Sequence, residues 1–257
     1  MKKIPLLKIV KISILSISLA ITLQIHSADF KPAAISEHTQ ALIEKTQLGS
    51  LEERSAAIEE AGITGCKTCY YSLISLLKDE SPIIRRKTAI SIGLLRNKNA
   101  ISHLEKALEV EKEESVKVDF IRALGFLASP EAAKLASSYL SNESEKIRFA
   151  AAKTLTVIAD IGTYDKITAQ LKSESSDSTK VLLLHAALKM KLNAEHILEL
   201  VKYFYSSTRL VRLYAARAAA DLKIKETLLD LKKAVIMEPD VELREQFFHA
   251  YNVTFNK

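Results

Sequence analysis

A chain of 257 residues has room for one large domain or two ordinary ones, and 48% hydrophobic residues supply an apolar core. Six glycines, five prolines and no tryptophan, with abundant Ala, Leu, Ile, Lys and Glu, disfavour a β-sandwich or barrel and favour helices. The net charge of +6 does not signal nucleic-acid binding: four of the 37 cations, Lys2, Lys3, Lys8 and Lys11, lie in the acid-free residues 1–28, and the rest of the chain sets 33 cations against 31 acids, too few to neutralise many phosphates.

The chain opens with a short basic stretch to Lys11, an uncharged, mostly apolar run from Ile12 to Ile25, and then His26, Ser27, Ala28 and Asp29. That order is the pattern of a secretory signal, with Ala28 as the expected cleavage point and Ser27 the alternative. The apolar run is short for a membrane span, which needs about 20 residues; an uncleaved N-terminal anchor is the other reading and the only route to a membrane. No cysteine follows the run, so a lipid anchor by that route is not expected. The expected organisation is a signal peptide at 1–28, a short linker at 29–35 and a folded region at 36–257. The expected location is the periplasm or the extracellular space, where a thiol pair tends to be oxidised.

Residues 36–47 read as a lone helix closing one end. From there the chain repeats. A mostly basic anchor recurs at Arg54, Arg85, Lys117, Arg148, Val181, Arg212 and Arg244, separated by 31, 32, 31, 33, 31 and 32 residues; at Val181 the basic residue, Lys180, stands one place early. Four residues before the anchors stand Ser50, Ser81, Glu113, Ser144, Asp177, Thr208 and Asp240. All but Glu113 are residues whose side-chain oxygen can satisfy free amides at a helix start, and Ser50 with Glu53 has capping-box spacing. Seven after the anchors come Ala61, Ile92, Leu124, Leu155, Leu188, Ala219 and Tyr251, the apolar face of a first helix. Nineteen after come Leu73, Leu104, Ala136, Ile167, Leu200 and Leu231, on the apolar face of a second. A single helix pair cannot bury both faces, so the pairs must stack into an all-α solenoid with a period of 31–33 residues.

The pattern of Val or Ile before a basic residue, then Ala-Ala, then Ala-Leu-Gly resembles the HEAT-like repeat, in particular the short bacterial form of the phycobilin lyase subunits. It is carried best by Val116-Lys117 with Ala123-Leu124-Gly125, by Ile147-Arg148 with Ala151-Ala152, and by Val211-Arg212 with Ala215-Ala216. The likeness covers about residues 36–257 and speaks to fold far more than to function. It implies that the second helices line the concave surface. The exposed positions there would be Tyr71, His103, Lys106, Lys134, Lys166, Lys202 and Lys233, a mildly basic groove suited to an acidic protein segment. The recurring anchor arginine is expected to be structural, pairing with an acid of a neighbouring repeat.

Cys66 and Cys69 are the only cysteines. Cys66 falls in the column that opens each second helix, with Asn97, Ser129, Asp160, Asn193 and Ile224 elsewhere, and Cys69 is three residues on. Side chains at those two positions approach each other, so a disulfide stapling the first complete pair is expected; inert thiols, a redox couple or a metal site are the alternatives. Four zinc ligands are not in view, and Tyr70 stands where covalent haem attachment needs His. His185 reads as a satisfied core histidine. The iron-binding deoxyhypusine hydroxylases, also HEAT-repeat proteins, use His-Glu pairs that this chain lacks. No nucleophile elbow or phosphate loop is present, so no catalytic residue, metal ligand or cofactor is assigned. The expected function is an exported scaffold that binds a protein partner through its concave face and binds no nucleic acid. A chromophore lyase-like protein and a thiol-redox protein using Cys66 and Cys69 are the alternatives.

Overall fold

The computed structural model describes residues 35–257. The expected signal peptide at 1–28, and all but the last residue of the expected linker at 29–35, lie outside the described residues. Among the described residues there are fourteen α-helices and no strand, and no helix is long and apolar enough to cross a membrane.

The lone helix is α1 (Glu37–Leu48). Seven first helices follow: α2 (Leu51–Ile63), α4 (Pro82–Leu94), α6 (Glu114–Leu127), α8 (Glu145–Ile158), α10 (Asp177–Met190), α12 (Arg209–Leu222) and α14 (Val241–Phe255). The second helices between them are α3 (Tyr70–Ser75), α5 (Ala100–Val110), α7 (Pro130–Ser137), α9 (Tyr164–Ser173), α11 (Ala194–Lys202) and α13 (Leu228–Met237). Several second helices are shorter than the pattern suggests because a 3-10 turn supplies their first or last turn, as at Lys67–Cys69, Leu76–Lys78 and Tyr203–Tyr205.

Each first helix begins where the polar column places it. In every unit the anchor amide donates to the carbonyl four residues earlier, from Arg54 to Ser50 through to Arg244 to Asp240. Ser50 and Glu53 form the capping box, and the side chains of Ser144 and Asp240 cap α8 and α14. Ser81, Glu113 and Thr208 occupy the cap position without a side-chain bond. The fifth unit requires a correction: α10 is capped by Ser176, not Asp177, and Lys180 rather than Val181 takes the anchor place, its amide 2.9 Å from the Ser176 carbonyl. The displaced residue is absorbed in the following turn, where Lys191 is extended (φ −151°) and Asn193 still caps α11.

The turn inside most units uses one left-handed residue eleven after the anchor: Gly65, Arg96, Ala128, Ala159 and Lys223, with φ between 45° and 67°. A left-handed residue lets its amide close on the end of the helix, as Ala159 does on the Leu155 carbonyl at 2.9 Å. Only the first of these is glycine. A Cβ in this region costs about 1–2 kcal/mol, of which glycine returns part through its freer unfolded chain. Ala159→Gly is therefore expected to raise stability by about 0.5–1 kcal/mol, read as a higher urea midpoint; a lower midpoint would refute the strain.

The core is the seam between the two rows. Leu73, Leu104, Ala136, Ile167, Leu200 and Leu231 of the second helices are fully buried, as are Ile92, Leu124 and Leu155 of the first. Each large aliphatic side chain so buried contributes roughly 1.5–3 kcal/mol before ordering costs. Tyr251, in the last described unit, stays half-exposed.

The anchor arginines tie the turns together. Arg148 grips Glu174 with two parallel bonds of 2.9 Å, while its third nitrogen donates to the carbonyls of Asn142 and Glu143. Arg85 does the same with Glu111 and the carbonyls of Asp79 and Glu80, and Arg212 with Glu238 and those of Ser206 and Ser207. Each arginine thus joins the turn that precedes its helix to the acid at the end of the next second helix, 26 residues on. The acid therefore belongs to the arginine's own helix pair, and what comes from the neighbouring repeat is the pair of carbonyls. Arg54 pairs with Asp79, and Arg244, in the last described unit, bonds the carbonyls of Glu238 and Pro239.

Candidate functional site

The residues expected to form the binding groove are exposed on the second-helix row, one or two per unit. Tyr71 is 82% exposed, and Lys106, Lys134, Lys166, Lys202 and Lys233 are all exposed. Tyr71 and His103 flank the buried Tyr70, their rings 5.3 and 6.5 Å from its own. The lysines do not converge. Around Lys202 the surface recess also presents Asp177, Glu195 and Glu199, so the basic character expected there is offset.

The packing of the two rows is unequal. Every first helix lies directly against the next, from α2 on α4 to α12 on α14, whereas neighbouring second helices touch sparingly, chiefly through their terminal 3-10 turns. Small residues permit the close row: Ala57, Ala89, Ala151, Ala186, Ala216 and Ala218 are buried along it. At Gly62 and Gly93 an added Cβ would stand 2.7 Å from the Ser91 backbone and 2.9 Å from the Ala123 carbonyl. When two joined rows differ in spacing, the stack bends toward the closer one. The side chains agree: Phe149 on α8 and Tyr214 on α12 reach over the intervening α10 and bring their rings within 5.5 Å. By this geometry the inner face belongs to the first helices, and Tyr71, His103 and the five lysines lie on the outer row, the reverse of the placement the repeat resemblance implied.

The first-helix face carries a ladder of ion pairs between units. Lys87 of α4 pairs with Glu59 of α2, and Arg86 of α4 with Asp119 of α6 at 2.7 Å. Further along, Asp221 of α12 receives both His185 and Lys189 of α10, at 2.8 and 3.0 Å. Burial holds the His185 imidazole below its ordinary pKa against the opposing pull of Asp221, and His185 is satisfied there as the sequence suggested. Between α2, α4 and α6 the face opens into a groove of about 440 Å³ with Ile63, Ile83, Ile90 and Leu94 on its walls. Sequence reasoning missed this groove. The signal was available in the apolar residues on the outward side of α4, at helical spacing, which the core does not use.

Cys66 and Cys69 form a disulfide, their Cα atoms 5.3 Å apart. Cys66 starts the 3-10 turn before α3 but makes no side-chain cap, since its sulfur is committed to the bond; Cys69 is fully buried. The pair therefore staples the turn between α2 and α3.

No family model and no curated protein matches the sequence. Solved structures do match. The complex of CpcE and CpcF of phycocyanin lyase from Nostoc aligns over 89% of this chain and 98% of its own, at 15% identity and a TM-score of 0.60. YibA of Escherichia coli aligns over 85% of this chain and 93% of its own, at 16% identity and a TM-score of 0.52. The Mot1 N-terminal domain, solved in complex with TBP, aligns over 97% of this chain but only 39% of its own, at 16% identity and a TM-score of 0.54. The fold is a HEAT-like repeat solenoid. At these identities the likeness extends to the architecture alone, and the HEAT-like solenoid leaves its function to be argued from its own surface.

Proposed function

We propose that this HEAT-like solenoid is an exported, non-catalytic module that holds a protein partner on its inner, first-helix face. The observation that carries the reading is the face itself: a continuous row of helices presenting exposed apolar side chains and inter-repeat ion pairs. Two of the similar structures, the CpcE–CpcF complex and Mot1 with TBP, were solved with protein partners. The signal-like segment at 1–28 and the Cys66–Cys69 bond support an oxidising location. The bilin-lyase alternative has only the fold in its favour.

A photo-crosslinking residue in place of Lys153 or Arg217, both exposed on the first-helix row, tests this against Lys106 and Lys202 on the second. One envelope protein captured in cells from the first-helix positions alone is the expected result. Capture only from Lys106 and Lys202 would move the binding surface to the outer row. No specific capture from either row would remove the scaffold reading.

A further inference from the structure

We propose that the groove between α2, α4 and α6 recognises a short aliphatic peptide segment of the partner that carries a carboxylate; this deepens the scaffold reading and rests on it. Ile63, Ile83 and Leu94 are exposed large apolar residues that line one recess together with the half-buried Ile90. At about 440 Å³ the recess is within the roughly 300–1,000 Å³ of ligand sites. Exposed apolar side chains gathered in one place on a soluble surface mark an interaction site, whereas scattered ones do not.

The rim decides the chemistry of the occupant. Arg86 reaches Asp119 through Nε at 2.7 Å, and Arg122 reaches the other oxygen of the same carboxylate through Nη1 at 2.9 Å. One buried carboxylate thus serves two guanidinium groups that are 47% and 53% exposed, leaving one positive charge uncompensated. Each fork uses a single N–H on Asp119, and a guanidinium has five. Arg86 and Asp119 line the recess itself, while Arg122 adjoins it through Asp119. The free donors of Arg86 stand beside the apolar walls, where a charge-assisted bond to a carboxylate is strong and a bidentate one fixes direction. Lys87 adds no net charge because Glu59 neutralises it. The chain's own apolar segment at 1–28 has the wrong charge for this rim, with four lysines and no acid.

The test uses the purified protein and fluorescein-labelled peptides of one sequence pattern, three leucines alternating with glutamate, glutamine or lysine, read by fluorescence anisotropy. The glutamate peptide is expected to bind roughly ten- to a hundred-fold more tightly than the lysine peptide. Arg122→Gln is expected to lower its affinity about ten-fold, Leu94→Asp to abolish binding, and Lys134→Glu on the outer row to change nothing. Circular dichroism of each variant shows that it is folded. Binding independent of peptide charge, loss of binding with Lys134→Glu in place of Arg122→Gln, or binding of laurate but no peptide would overturn the proposal. So would an absence of all binding. If that absence accompanies specific crosslinking from Lys153 or Arg217, the acidic-peptide specificity alone fails and the scaffold reading stands; absence of both removes both.

Discussion

Replacing Arg148 with Ala is expected to cost about 3–5 kcal/mol, because it strands a buried carboxylate. The Glu174 side chain has no solvent exposure, and the Arg148 fork supplies two of its hydrogen bonds. Replacing both partners with apolar residues, Arg148→Met with Glu174→Leu, is expected to be close to neutral, since neither charge is then left unpaired. The comparison by urea denaturation at neutral pH separates the cost of stranding a charge from the net worth of the pair. A single Arg148→Ala variant within about 1 kcal/mol of the wild type would mean that water or a neighbouring side chain reaches Glu174.

The same pair sets a pH dependence. Burial alone would raise the Glu174 pKa, but the Arg148 fork, the Ser176 amide and Gln170 outweigh it and hold the carboxyl at about 2. A carboxyl whose folded pKa lies below its unfolded one binds fewer protons in the folded state. Its contribution is complete above the ordinary carboxylate range and is lost as pH falls toward 2. Glu111 and Glu238, in the equivalent pairs, are lowered as well, each by its arginine working against burial. Stability should therefore fall between about pH 4.5 and 2, less steeply in the Arg148→Met, Glu174→Leu variant than in the wild type.

Gly62→Ala and Gly93→Ala are expected to destabilise by about 1–3 kcal/mol each, although alanine is the better helix former by about 0.5–1 kcal/mol. In both, the new methyl would meet the adjacent first helix at less than 3 Å, against the Ser91 backbone and the Ala123 carbonyl, neither of which can rotate away. Gly125 occupies the same column one repeat on, yet the nearest atom to an added Cβ there is a Thr154 methyl at 3.7 Å, an ordinary contact. Gly125→Ala should accordingly stabilise by about 0.5–1 kcal/mol. The sign change within one column is the measurement. If all three substitutions stabilise, the first helices are not as close as described, and the assignment of the inner face to them fails with it.

What the chain determines by itself is local and recurrent. Ser50, Ser144 and Asp240 mark helix starts because a side-chain oxygen satisfies amides three residues away, a matter of a single turn. Leu73, Leu104 and their successors mark the buried seam because helical spacing collects them on one side. Even the arginine column announced a structural role through its recurrence. Its partner could not be read, since Glu174 lies 26 residues from Arg148 and meets it only after two helices and the turn between them are in place. The fifth anchor was misplaced by one residue although Lys180 stood one place early: the later columns still fit Val181 because the extra residue lies in the following turn, and the bond from Lys180 to Ser176 fixes the register.

The direction of curvature belongs wholly to the tertiary structure. Each row looks equally apolar toward the seam, so the pattern shows that two rows exist but not which is the more closely spaced. That is decided where Gly62 meets Ser91 and Gly93 meets Ala123, contacts between segments about one repeat apart. Bending toward the tighter row turns residues of α4 and α6 that the core does not use into the walls and rim of a groove. It also carries the lysines of the second helices to the outside.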